Sequence, residues 1–243
     1  MDRTPEENIP WDEIGETLGL LAAMCRVVGA LFARSPDTDT IVSLRDVDAE
    51  DNLALNPEDP EWAEGLRLLG GYCCQADLER ARLGATGDHS NLFVGPTHVL
   101  APPWSSIYLN ERTLFGAATA QVGETYRRFG LQVPNRGQEP EDHIAFELEF
   151  VAEMDRRVQS ALEREDPVTA CEDLAALDDF LVGHVQVWLG RFLSLVEEQA
   201  ETAFYRGLAK ITRSLVAMEA QHVSELRTLL GAAPRAPCSG QGL

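Results

Sequence analysis

Glu139-Pro140-Glu141-Asp142-His143-Ile144-Ala145-Phe146-Glu147-Leu148-Glu149-Phe150 is the stretch whose reading decides the fold. Pro140 suits the first position of a helix, and Glu141 and Asp142 follow in the first turn, where carboxylates complement the helix dipole. From there Ile144, Leu148, Val151, Val158 and Leu162 recur at three- and four-residue steps with Met154 beside them, the mark of a stripe facing a core. A helix over 141–165 is therefore expected. With Ile144 at 0° and about 100° per residue, Glu147 falls near 300° and His143 near 260°, one turn apart on the edge of the stripe. Phe146 and Phe150 fall near 200° and 240°, where a simple amphipathic helix would be polar, so a second contact surface is expected there.

Upstream lie two further irregular segments, Asn91-Leu92-Phe93-Val94-Gly95-Pro96 and Ala101-Pro102-Pro103-Trp104-Ser105-Ser106-Ile107-Tyr108. Consecutive prolines remove two amide donors and push the residue before them toward extended geometry, so the second segment is a fixed corner rather than a helix. Aromatic and polar side chains from these corners and from the helix start are placed to line one cleft.

Outward from this centre the pattern is helical almost everywhere. Leu18, Leu21, Cys25, Val28 and Phe32 share one face of a helix over 11–34, which Ser35-Pro36-Asp37 breaks. A weak helical piece over 40–47 and an acidic loop over 48–60 precede a helix that opens at Asp59-Pro60 and runs toward Leu83, with Gly84 and Gly87 ending it. Further helices are expected over 114–129, 174–199 and 202–230, the last with a break near Lys210. Residues 130–138 form the best hinge, and the Pro- and Gly-rich tail 231–243 is expected to fray. No segment alternates like a strand, so the chain reads as one all-α domain over 1–243, with its core over about 11–230.

The 243 residues are 44% hydrophobic, enough to bury a full core, and carry a net charge of −20. That charge argues against nucleic acid and against anionic membrane surfaces, and favours either a cationic partner or simple solubility. Lys210 is the sole lysine. Five cysteines without metal spacing suit a reducing cytosol, the acidic first residues are not a signal peptide, and the apolar run from Leu18 to Phe32 is short for a bilayer and interrupted by Arg26. A soluble cytoplasmic protein is expected.

Candidate chemistry is sparse. His143 and Glu147 at i, i+4 fit a metal or a proton relay, or a polar helix start with nothing bound. His184, among Leu177, Phe180, Leu181, Trp188 and Phe192, reads as a core histidine bonded to a carboxylate or carbonyl. Glu219-Ala220-Gln221-His222 has the E-x-x-H spacing of di-iron bundles, but a second copy is missing. Ser105 and Ser106 lack a G-x-S-x-G elbow, and no phosphate loop is present.

Leu92-Phe93-Val94-Gly95-Pro96, Pro102-Pro103-Trp104-Ser105-Ser106-Ile107-Tyr108, Glu139-Pro140-Glu141-Asp142-His143 and the Phe180/His184/Trp188 spacing together resemble the TorD/DmsD family of redox-enzyme maturation chaperones, with NarJ-like relatives. Just before Leu92, where the resemblance implies an aromatic, stand His89 and Ser90. The resemblance implies an all-helical, non-catalytic chaperone without cofactor or metal. Its partner would be the twin-arginine signal peptide of a molybdoenzyme catalytic subunit, held until cofactor insertion is complete. The implied peptide-binding residues are Phe93, Pro102, Pro103, Trp104, Ser106, Tyr108, Asp142, His143, Phe146 and Glu147. In physical terms, Asp142 and Glu147, with Glu141, would face the two guanidinium groups, and the aromatics would face the apolar stretch that follows them. The client, a dimethyl sulfoxide, trimethylamine N-oxide or nitrate reductase, is left open. An alternative is a helical metal-dependent oxidoreductase built on His143, Glu147, Glu219 and His222. A monomer with a minor dimer, swapped through the 130–138 hinge, is expected.

Overall fold

The computed structural model describes residues 11–48, 52, 55–95, 98–109, 114–134 and 139–232. Its helices, in chain order, are α1 (Trp11–Ala33), α2 (Thr38–Ser43), α3 (Pro60–Cys73), α4 (Leu78–His89), α5 (Ser105–Tyr108), α6 (Ala117–Arg128), α7 (Ile144–Glu163), α8 (Pro167–Phe180), α9 (Gln186–Gln199) and α10 (Ala203–Ala232). Two π-helical turns interrupt the pattern, Ser90–Val94 directly after α4 and Leu181–Val185 between α8 and α9. The described residues contain no named strand, so the architecture is all-α.

Two helix pairs carry the bundle. α1 lies along α7, with Leu18, Cys25 and Phe32 of one and Leu148 and Val151 of the other all buried, and Gly29 lets the backbones close up, since a Cβ there would sit 3.3 Å from the Ala145 carbonyl oxygen. α3 lies along α10 through a glycine pair: a Cβ on Gly207 would come within 2.7 Å of the Gly65 carbonyl oxygen. By length and composition α1 could cross a membrane. Its bounds match the helix expected over 11–34, with the more polar Trp11 to Thr17 as its first two turns.

Several boundaries differ from those expected. The helix after Asp59 stops at Cys73, and a new one starts at Leu78, capped by the Asp77 side chain on the Arg80 amide. Gly84 and Gly87 lie inside α4, where Gly84 makes room for the Tyr72 hydroxyl. α10 is continuous through Lys210, whose ammonium group bonds Glu197 at 3.1 Å beside Arg213, which bridges Glu61 and Glu197. Asp88 of α4 supplies the cap at the start of α10, accepting from the amides of Glu201 (3.1 Å) and Thr202 (2.9 Å). Gly130 ends α6 at φ +75°, a left-handed conformation that glycine adopts without steric cost. Residues 135–138 of the expected hinge, the Pro96 of the first corner, and the tail beyond 232 lie outside the described residues.

Candidate functional site

The largest departure from the sequence reading is the start of α7. The helix begins at Ile144, and Pro140 to His143 form a turn sewn to the proline corner. Trp104 and His143 form an antiparallel bridge, flanked by Ile144 N–H to Pro103 O at 2.9 Å and Ser105 N–H to Asp142 O at 3.0 Å. Asp142 is fully buried and accepts from the Ser106 amide (2.8 Å), the Thr119 hydroxyl (2.8 Å) and the Ser105 hydroxyl (3.4 Å). One carboxylate thus ties together α5, α6 and the start of α7. Glu141 lies against Gly123, where a Cβ would collide with its carboxylate, and takes a bond from Arg127 at 3.3 Å.

This knot holds open a cavity of about 470 Å³. Phe32 and Ala33 from the end of α1 form one wall, and His89 from the end of α4 with Phe93 and Val94 from the first π turn form the next. Trp104, Pro134 and Glu139 come from the loops, and His143, Ala145 and Phe146 from the start of α7. The π turn matters because its wider winding carries Phe93 inward, edge-on to Phe32 at 5.6 Å, while Val94 stays 63% exposed at the rim. His89 takes the expected aromatic place, its ring edge-on to Phe93 at 5.3 Å and its Nε2 3.2 Å from the Phe32 carbonyl oxygen.

Neither cavity histidine is a cation at neutral pH. Burial holds His143 down to about 4, against the opposing pull of Asp142. Its Nδ1 accepts the Ala145 amide at 3.1 Å, capping α7 and leaving the ring proton on Nε2. Burial also lowers His89, against the upward effect of its bond to the Phe32 carbonyl. Among the described lining residues Glu139 is the one carboxylate, and the Trp104 indole N–H donates to it at 3.2 Å. The cavity is therefore aromatic, with one half-buried acid at its wall and no lining cation among those residues, a surface matched to a guanidinium attached to an apolar segment.

Of the expected site residues, Phe93, Trp104, His143 and Phe146 line this cavity. Pro102 and Pro103 shape the corner behind Trp104 without lining it. Ser106 and Asp142 lie in the knot below, and Tyr108 is stacked on Trp188 at 5.5 Å. Glu147 is a correction: at 0% exposure it faces the core, accepting from His184 Nε2 at 2.7 Å and Trp188 Nε1 at 3.0 Å. The second π turn aims His184 at it, so the histidine is the carboxylate-bonded core residue its surroundings suggested. Asp142 is likewise corrected, because with the helix beginning at Ile144 its side chain turns inward to satisfy donors rather than outward to a ligand. Phe150 packs on Tyr126, Phe129 and Phe180, which makes the second face of α7 an internal one.

Phe32, Ala33, His89, Val94, Pro134, Glu139 and Ala145 were missed as lining residues. Glu139 and Val94 stood within motifs already singled out and His89 stands just before the first of them, whereas Phe32 arrives through long-range packing that no local pattern encodes. The four groups of the metal-enzyme alternative do not meet: Glu147 is taken up by His184 and Trp188, Glu219 lies against Asp155, and no cluster of three metal-binding side chains occurs among the described residues.

A family model described as "Nitrate reductase delta subunit" matches residues 55–194, more than half of the chain. The chain belongs to this family. Among curated relatives it is similar to a chaperone protein TorD of Shewanella pealeana, 25% identical over 220 residues that cover 87% of this chain and 90% of the relative. It is also similar to a Tat proofreading chaperone DmsD of Salmonella typhimurium, 29% identical over 81% of this chain and 87% of the relative. A TorD of Vibrio cholerae is 27% identical over 72% and 76%. These names agree with the TorD/DmsD resemblance carried by the two proline corners.

Proposed function

We propose that the chain is a non-catalytic cytoplasmic chaperone that binds the twin-arginine signal peptide of a molybdoenzyme catalytic subunit and holds it until the cofactor is inserted. The observation that carries this reading is the cavity itself. It combines the rings of Phe32, Phe93, Trp104 and Phe146 with the carboxylate of Glu139 and two uncharged histidines. A twin-arginine segment offers the complement, cationic forks followed by an apolar run. The names of the relatives, a Tat proofreading chaperone among them, support the same partner class. Aromatic burial supplies most of the affinity, with the guanidinium–carboxylate pair giving orientation.

A second client class is favoured by one observation: the matched family is described as a nitrate reductase subunit, so the client of this chain is either an exported reductase or a nitrate reductase catalytic subunit. Affinity capture from the native cytosol with identification of the bound catalytic subunit decides between them. Recovery of no molybdoenzyme subunit under anaerobic growth would contradict both. The protein works as a monomer, with a minor dimer exchanged through 130–138. Light scattering that gave one obligate oligomer at every concentration would overturn that assignment.

A further inference from the structure

Asp155 of α7 and Glu219 of α10 are acids in the middle of the hydrophobic core, both at 0% exposure. None of their four carboxyl oxygens meets a donor from another described group. Instead the two carboxyls lie within hydrogen-bonding reach of each other. Two carboxylates in that position would have no donor between them. One retained proton supplies it, turning a repulsive pair into an O–H···O bond.

The surroundings offer little else. On α1, Cys25 is buried beside both acids, its thiol pushed up by burial and by the charges of Glu219 and Asp155. Arg26, next along α1, is the cation that acts on Asp155, but its guanidinium is 40% exposed and bonds Glu149 at 3.0 Å, with Glu153 at 3.8 Å. One turn past Glu219, His222 has a buried Nε2 without a partner, and burial lowers its pKa, so it brings no charge to neutralise the pair. Isolated acids in such a place would be removed by selection for stability or answered by a base. The pair, one acid on α7 and one on α10, is a joint between those two helices.

That joint lies about three turns along α7 from Ala145, which lines the cleft. The end of α1 gives Phe32 and Ala33 to the cavity wall, the start of α7 gives His143, Ala145 and Phe146, and α7 packs along α1 between. We propose that Asp155 and Glu219 form a proton-sharing carboxyl pair that locks α7 to α10 while protonated and loosens that joint as pH rises. Burial pushes Glu219 up to about 7, and burial together with the neighbouring Glu219 charge raises Asp155 well above the ordinary carboxylate range. In the unfolded chain both would lose their protons near pH 4. The folded state thus binds more protons from about pH 4.5 upward, and stability falls with rising pH by about tenfold in the folding constant per pH unit for each proton held.

The test uses the full chain. Denaturant unfolding of wild type and of two variants that remove both titrating acids, Asp155→Asn/Glu219→Gln and Asp155→Leu/Glu219→Met, is compared from about pH 5 to pH 8, and the difference removes common contributions, including that of His184, which changes in the same direction. The wild-type folding constant should fall relative to the variants by about tenfold per pH unit up to about pH 7. Infrared spectra of the wild type should also show a protonated carboxyl carbonyl band persisting at about pH 6, where exposed carboxyls are ionised. This readout holds even if both variants fail to fold. Absence of that band, or the same pH dependence in wild type and folded variants, would overturn the proposal.

Discussion

Replacing Asp142 with alanine is the sharpest test of the knot under the cleft. The carboxylate is fully buried and accepts from the Ser106 amide and the Thr119 hydroxyl, each at 2.8 Å, and from the Ser105 hydroxyl at 3.4 Å. Truncation strands at least the first two donors in the core, at about 1–3 kcal/mol each. The third bond is long, and the hydroxyl that makes it can rotate to another acceptor, so it adds little. A loss of about 3–5 kcal/mol follows, which for a chain of this size lowers the melting temperature by roughly 6–20 °C. Circular dichroism melts of wild type, Asp142→Ala and Asp142→Asn measure it. The asparagine variant should fall between, because its amide oxygen still accepts one of the two short bonds. A first-turn acid facing solvent would instead cost only about 0.3–1 kcal/mol through the helix dipole. An Asp142→Ala protein melting within a degree or two of wild type would refute the reasoning.

Other outcomes follow from the same geometry. His184→Ala leaves the buried Glu147 with only the Trp188 indole N–H as partner and should destabilise by about 3–5 kcal/mol, read by urea unfolding, while Trp188→Phe should cost about 1–3 kcal/mol. Because burial depresses His143 to about 4, the stability it contributes is present above its unfolded value near 6.5 and is lost as pH falls toward 4. Wild type compared with His143→Gln over that window should show the loss only in the former. Signal-peptide affinity should decline over the same range, since a protonated His143 places a cation in the cavity that Glu139 lines. Trp104→Ala should weaken peptide binding by at least tenfold in calorimetric titration with little change in the far-ultraviolet spectrum, since its half-buried ring contributes to the cavity rather than to the core.

The helices were legible because periodicity and punctuation agree over long windows. α1 carries its apolar stripe over 23 residues, and Asp59-Pro60 opens α3 as capping chemistry requires. Where reading failed, a distant partner decided. Pro140, Glu141 and Asp142 have the composition of a first turn, but the donors on Ser105, Ser106 and Thr119 claim Asp142, and the helix yields three residues to them. Gly84 looks like a helix end until the Tyr72 hydroxyl is seen to need the space its missing Cβ leaves. On a helical wheel Glu147 sits at the edge of the apolar stripe, and only the position of the second π turn shows that His184 and Trp188 draw it inside. The cleft was legible as motifs, through Phe93, Trp104, His143 and Phe146. It was not legible as a volume, because Phe32 reaches it from the distant end of α1, and His89, one turn before Phe93, stands out in the sequence only as a departure from the expected aromatic.

The central claim is that Glu139 and the surrounding aromatic rings recognise cationic forks joined to an apolar run. Isothermal titration of the full chain with a twin-arginine signal peptide, with the same peptide carrying glutamine at both arginines, and of a Glu139→Gln protein with both, tests it most directly. The account predicts that the native peptide binds wild type at least tenfold tighter than the glutamine peptide and that Glu139→Gln shrinks this preference while its melting temperature stays unchanged. Equal affinity of wild type for the two peptides, or an undiminished preference in the folded Glu139→Gln protein, would contradict it.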